Sequence, residues 1–165
     1  MSESIFEKYE VRRFRRRASS LELKEWELEK FSQHSRLDYR AIVAMYDATP
    51  PHILTKLSLE NDPVINRSVA SNSNTPTEVL HNLSSRSDVD LNTLDLIAVN
   101  PNADATILDL LVQRQDAFLQ MNVLKNNNIS DDTLHYLKTN GQDYEVRDAA
   151  RHLLRNRAAL SALQF

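Results

Sequence analysis

Two groups of residues have the types and spacing for chemistry. His81, Asp109 and His135 recur at intervals of 28 and 26 residues, so a regular fold would align them in a ladder able to hold a metal or pass a proton. Arg12, Arg13, Arg15, Arg16 and Arg17, with Phe14 inside the run, form a basic cluster near the amino terminus. Such a cluster can neutralise phosphates while Phe14 or Tyr9 stacks on a base. It can equally lie on a solvated helix face and pair with Glu3, Glu7 and Glu10. The acidic balance of the chain favours the second reading. Arg147, Arg151 and Arg155 are four apart on one helical stripe; they are candidate partner contacts whose default explanation is a solvated face.

The ladder is a poor metal site. Stacked helices lie about 8–10 Å apart, whereas metal bonds are about 2 Å long. His34, His52 and His152 form no ligand spacing with the other two histidines. Asp131 and Asp132 sit where a helix start explains them through its dipole. Nucleophile-elbow, metalloprotease and calcium-loop motifs are missing. There is no cysteine, which removes disulfides, thiolate metal sites and cysteine nucleophiles, and Gly141 is the only glycine, too few for a phosphate-cradling loop. The expectation is a chain with no catalytic residue, no cofactor and no metal.

The elements that would carry these residues emerge from self-similarity. Asn72-Ser73-Asn74-Thr75-Pro76, Asn100-Pro101-Asn102-Ala103-Asp104 and Asn126-Asn127-Asn128-Ile129-Ser130 share one register, and Tyr46-Asp47-Ala48-Thr49-Pro50 precedes them. Before each stand Val43-Ala44, Val69-Ala70, Ile97-Ala98 and Val123-Leu124. After each come Ile53, Leu54 and Leu57; Val79, Leu80 and Leu83; Ile107, Leu108 and Leu111; Thr133, Leu134 and Leu137. That i, i+1, i+4 spacing is one apolar helical face. Each unit reads as a helix of about ten residues, a turn, a second, shorter helical segment and an Asn-rich turn.

Thr75, Pro76 and Glu78 supply an N-cap, a first-turn proline and a capping-box acid, which Thr49 and Pro50 repeat without the acid. Asp62, Asp88 and Asp116 are expected to cap the second segments, with Asp143 near the same place in the fourth unit. The asparagines are expected to bond their own turns, or else to line a binding edge. No unit can cover its own apolar face, so neighbours must stack.

The Asn-Pro-Asn turn, the capped Leu-rich helix and the Val-Ala pair resemble the variant leucine-rich repeat family over roughly residues 37 to 153. HEAT-like repeats are the nearest competitor. The resemblance implies alternating α and 3₁₀ helices in a right-handed superhelix. The iron–sulfur cluster of some members cannot be carried over, because this chain lacks cysteine. The expected fold is all-α: a short right-handed α-solenoid of about four 26–28-residue repeats with helical N- and C-terminal caps.

The ends differ from the middle. Residues 1–40 hold ten Lys/Arg against eight Asp/Glu, and residues 41–165 ten against fifteen, within a net charge of −3. Residues 1–36 read as a basic arm and capping helix, 37–153 as the repeat array and 154–165 as an apolar C-terminal cap. Ser19-Ser20-Leu21-Glu22 reads as a capping box that opens a helix through about Phe31, with Trp26 packed inward. Ala158 to Phe165 carries no charged side chain and is expected to cover the last repeat, the alternative being contact with a second subunit. No apolar run approaches the roughly 20 residues that cross a bilayer, and the first residues lack an export signal, so a cytoplasmic address is expected. The function these features suggest is macromolecule binding by a helical-repeat surface. Its partner would be another protein, with nucleic acid bound through the arginine cluster as the alternative.

Overall fold

The computed structural model describes residues 5–20 and 22–163. Glu3, Leu21, Gln164 and Phe165 lie outside them. The described residues form eleven helices and no strand: α1 (Ile5–Ser19), α2 (Glu25–Ser32), α3 (Leu37–Met45), α4 (Pro51–Leu57), α5 (Pro63–Ser71), α6 (Thr77–Ser85), α7 (Leu91–Val99), α8 (Ala105–Val112), α9 (Ala117–Leu124), α10 (Asp131–Asn140) and α11 (Tyr144–Ala162). The fold is an all-α solenoid. Odd-numbered helices stack on one another from α1 to α11 as one layer, and even-numbered helices form the second. The odd layer is the more closely packed, since α3, α5, α7 and α9 approach their neighbours more tightly than the even helices do. Small residues at the contacts, Ala44, Ala70 and Ala98, all fully buried, permit that approach.

Both segments of each unit are α-helical, and the second is as long as the first: α5 and α7 have nine residues each, against seven in α4. The shorter second segment expected from the sequence is not what forms. The apolar triplets do face the interior. Ile53, Leu54, Leu80, Ile107, Leu108, Leu111, Leu134 and Leu137 are fully buried, and Leu57, Val79, Leu83 and Thr133 nearly so. Each large side chain removed from water contributes about 1.5–3 kcal/mol.

Asparagine joins the units. Asn72 Nδ2 donates to the carbonyls of Ala44 (2.8 Å) and Tyr46 (2.9 Å) in the unit before it. Asn100 Nδ2 does the same to Ala70 (2.8 Å) and Asn72 (3.0 Å), and Asn126 Nδ2 to Ala98 (2.8 Å) and Asn100 (3.0 Å). Each Oδ1 accepts from its own turn, at the N–H of Asn74, Asn102 and Asn128. A second file runs outside the first: Asn102 Nδ2 donates to Ser73 and Thr75, and Asn128 Nδ2 to Pro101 and Ala103. The side chains therefore bond their own turn with the oxygen, as the sequence suggests, and the preceding unit with the amide, which the sequence reading did not include.

Several caps differ from expectation. Thr75 is fully buried, and its hydroxyl donates to Val69 O (2.6 Å); Pro76 takes the N-cap position of α6 with no side-chain cap. Asp90 caps α7 through the Thr93 N–H (2.8 Å), because both carboxylate oxygens of Asp88 are held by Arg86 at 2.9 Å. Asp62, Asp116 and Asp143 cap α5, α9 and α11. No helix begins at Ser19. Ser19 and Ser20 bond back to the carbonyls of Arg15 and Arg16 and finish α1, and α2 opens where the Lys24 N–H donates to Glu27 (3.1 Å).

The two ends are asymmetric. Leu153 stands ten residues past its N-cap Asp143, as Asn126 stands past Asp116, but there α11 continues without a turn. Arg157 ties α11 to Asp131 (2.6 Å) and Ile129 O (2.9 Å), and every described residue after it is exposed, with Leu160 at 63 % and Leu163 at 82 %. Residues 158–163 therefore project as an uncharged overhang. They do not cover the last repeat, because α10 is 10 residues long and α11 is 19.

Candidate interaction surface

The histidine ladder does not converge. His81, Asp109 and His135 lie on α6, α8 and α10 and are exposed. Asp109 accepts from the Thr133 hydroxyl, and His135 Nδ1 donates to Asp131 O (2.7 Å). Among the described residues no group of three or more His, Cys, Asp or Glu is placed to hold a metal ion. His52 Nε2 lies 2.5 Å from Glu29, whose carboxyl this contact holds below its usual range; it is an exposed surface pair.

Phe14 is in the core. It is 5 % exposed, and its ring lies 4.2 Å from Phe31 and 5.3 Å from Tyr39, so it has no free face for a base. Trp26, expected inside, is 61 % exposed. Trp26 is therefore the exposed aromatic, against expectation, and Phe14, which the nucleic-acid alternative needed free, is the buried one. In the sequence, Phe14 is flanked by arginines on both sides, yet Val11 and Phe14 are three apart and form the buried stripe of α1.

Arg17 is also accounted for. Its guanidinium grips both oxygens of Glu27 at 2.6 and 2.8 Å, which holds the nearly buried Glu27 carboxyl below its usual range and pins α1 to α2. Arg12, Arg13, Arg15 and Arg16 are exposed. At 100° per residue they spread over one side of α1, from Arg15 through Arg12 and Arg16 to Arg13. Arg12, Arg13 and Arg16 form no ion pair among the described residues. At the other end of the stack, Arg147 donates to Gly141 O (2.7 Å), Arg151 lies 3.5 Å from Asp148, and Arg155 is exposed. The two arginine groups therefore do not form one patch.

A groove of about 860 Å³ runs between α1 and α3 and reaches α5. Ala18, Leu37, Ala41, Ile42, Met45 and Val64 give it apolar walls; Arg15, Asp38 and Asp47 stand at its edge. Asp38 is neutralised by Arg36 (2.7 Å), which holds its carboxyl below the usual range. Val64 is also the first of four exposed apolar side chains, one at the start of each successive odd helix. Val64, Leu91, Phe118 and Tyr144 occupy the first turns of α5, α7, α9 and α11, and are 38, 52, 65 and 66 % exposed. The row follows the caps: one or two residues after Asp62, Asp90, Asp116 and Asp143 comes an exposed apolar side chain. Sequence reasoning missed it, although the cap register carries the signal.

Compared with known protein families, curated proteins and solved structures, the chain matches none. No helix among the described residues is long and apolar enough to cross a membrane.

Proposed function

We propose that this chain is a non-catalytic protein-binding module whose partner lies along the first turns of the odd helices. The observation that carries the reading is the row Val64, Leu91, Phe118 and Tyr144, one exposed apolar side chain from each of four successive helices of one layer. Neighbouring helices pack about 8–10 Å apart, so the row spans roughly 24–30 Å, the length of an extended or helical segment rather than of a small molecule. Solitary exposed apolar residues need no explanation, but one at the start of each of four successive stacked helices does. Two aromatics at its far end suit the anchoring role that Tyr and other large rings take at interfaces.

The test is capture of partners from the native cell by wild type and by Phe118→Ser with Tyr144→Ser, with Leu110→Ser on α8 as control. Both aromatics are two-thirds exposed, so the fold should tolerate the change. Loss of two anchors is expected to weaken the captured partner about tenfold or more. An unchanged partner profile contradicts the reading.

A second reading rests on Arg12, Arg13 and Arg16, which stand exposed without an ion pair among the described residues. They would contact nucleic-acid phosphates without Phe14 as a stacking partner.

A further inference from the structure

The overhang of α11 and the groove beside α1 are both apolar, both uncovered and at opposite ends of the stack. We propose that they are the two halves of one joint, and that the overhang of one copy of this chain seats in the groove of the next.

Size, composition and charge support the fit. A helix about 10–12 Å across that rises 1.5 Å per residue occupies roughly 700–1,000 Å³ over six residues. A groove of about 860 Å³ is thus large enough to take a segment about as long as residues 158–163. Ala158, Ala159, Leu160, Ala162 and Leu163 present small and branched apolar groups to a wall of Ala18, Leu37, Ala41, Ile42, Met45 and Val64. The overhang has no charged side chain, so it meets no repulsion from Arg15 at the groove's edge. Arg155, exposed and one turn before Ala159, and Asp47, exposed at the edge of the groove, carry opposite charges that such a contact would bring to the same side.

A chain cannot fill its own groove. Helices α5, α7 and α9 stand between α3 and α11 in the odd layer. The contact is therefore head-to-tail, and each copy that joins leaves one overhang and one groove open. Such heterologous contacts give open chains or closed rings rather than two-fold dimers.

Light scattering coupled to size exclusion, run over a concentration series on the full chain, tests this. Wild type is expected to grow past two copies with concentration. An overhang variant, Leu160→Asp with Leu163→Asp, and a groove variant, Met45→Asp with Val64→Asp, should each stay at the mass of one chain. All four positions are exposed, which spares the fold. Mixed one to one, the variants retain one intact groove and one intact overhang between them and should form a pair that grows no further; a misfolded variant could not restore it. Wild type remaining a single chain at every concentration overturns the proposal, as does a mixture that fails to pair. A groove variant that still dimerises overturns it too, because that would mean α11 pairs with α11. Self-assembly should be untouched by Phe118→Ser with Tyr144→Ser, so the failure of this joint and of the partner row are read separately.

Discussion

The side-chain amide of Asn100 donates to the main-chain oxygen of Asn72 at 3.0 Å, and Asn72 in turn holds the main chain of Tyr46 at 2.9 Å. Asn72 and Asn100 are thus each both a clamp and a clamped turn. Tyr46 begins the file, with its hydroxyl bonded to Leu23 O (3.4 Å), and the file has no fourth asparagine because α11 runs straight through that position. Leucines hide the interior; asparagines set the spacing between units.

Replacing Asn100 by Ala removes two donors from buried carbonyls and is expected to destabilise by about 1–3 kcal/mol. Asn100→Asp should be worse at neutral pH, because a carboxylate would face the carbonyl oxygens of Ala70 and Asn72. Its deficit should narrow as the pH falls and the acid becomes a donor. Urea unfolding of the three proteins at two pH values checks the order.

The Arg17 and Glu27 pair makes stability acid-sensitive. Because the folded pKa of Glu27 is lowered, its contribution is fully present above the ordinary Glu value and is lost as pH drops through the folded value. Glu27→Gln should flatten the stability profile below about pH 4.5. Thermal melts from pH 3 to 7 are the measurement; parallel profiles would contradict the assignment.

Phe14 and Trp26 should answer oppositely to truncation. Phe14→Ala opens the aromatic cluster with Phe31 and Tyr39 and is expected to cost about 3–5 kcal/mol. Trp26→Ala is expected within about 0.5 kcal/mol of wild type. Denaturant midpoints decide it.

What was legible followed from spacing. The i, i+1, i+4 triplets marked the even helices, and the asparagine register marked the unit length, because both are imposed by contacts that recur in every unit. What was not legible depended on competition for one group. Asp88 has the residue type of a cap but is taken by Arg86, which leaves the role to Asp90. Ser19 and Ser20 have the types of an opening cap but satisfy the last carbonyls of α1. The exposed series from Val64 to Tyr144 is not legible from leucine spacing, because its members are placed by the N-caps, and the cap of α7 is Asp90 rather than Asp88.

Gly141 is required by space, not by a left-handed backbone, since its φ is −54°. A Cβ there would stand 2.6 Å from Leu137 O and 2.7 Å from a Val146 methyl. Gly141→Ala should therefore destabilise the last hairpin by about 1–3 kcal/mol through overpacking. Hydrogen exchange localised to α10 and α11 would report it.

If nucleic acid is the ligand, affinity for a labelled duplex or single strand should fall steeply with salt, and Arg12→Ala, Arg13→Ala and Arg16→Ala should each reduce the salt slope by about one unit. No association at low salt removes that reading.

The most direct measurement places a photo-reactive phenylalanine analogue at position 118, on the row, and separately at position 110, on α8 of the even layer. Light-driven crosslinking in the native cell should join the partner from position 118 and not from position 110. Crosslinks from position 110 alone would contradict the odd layer as the working face.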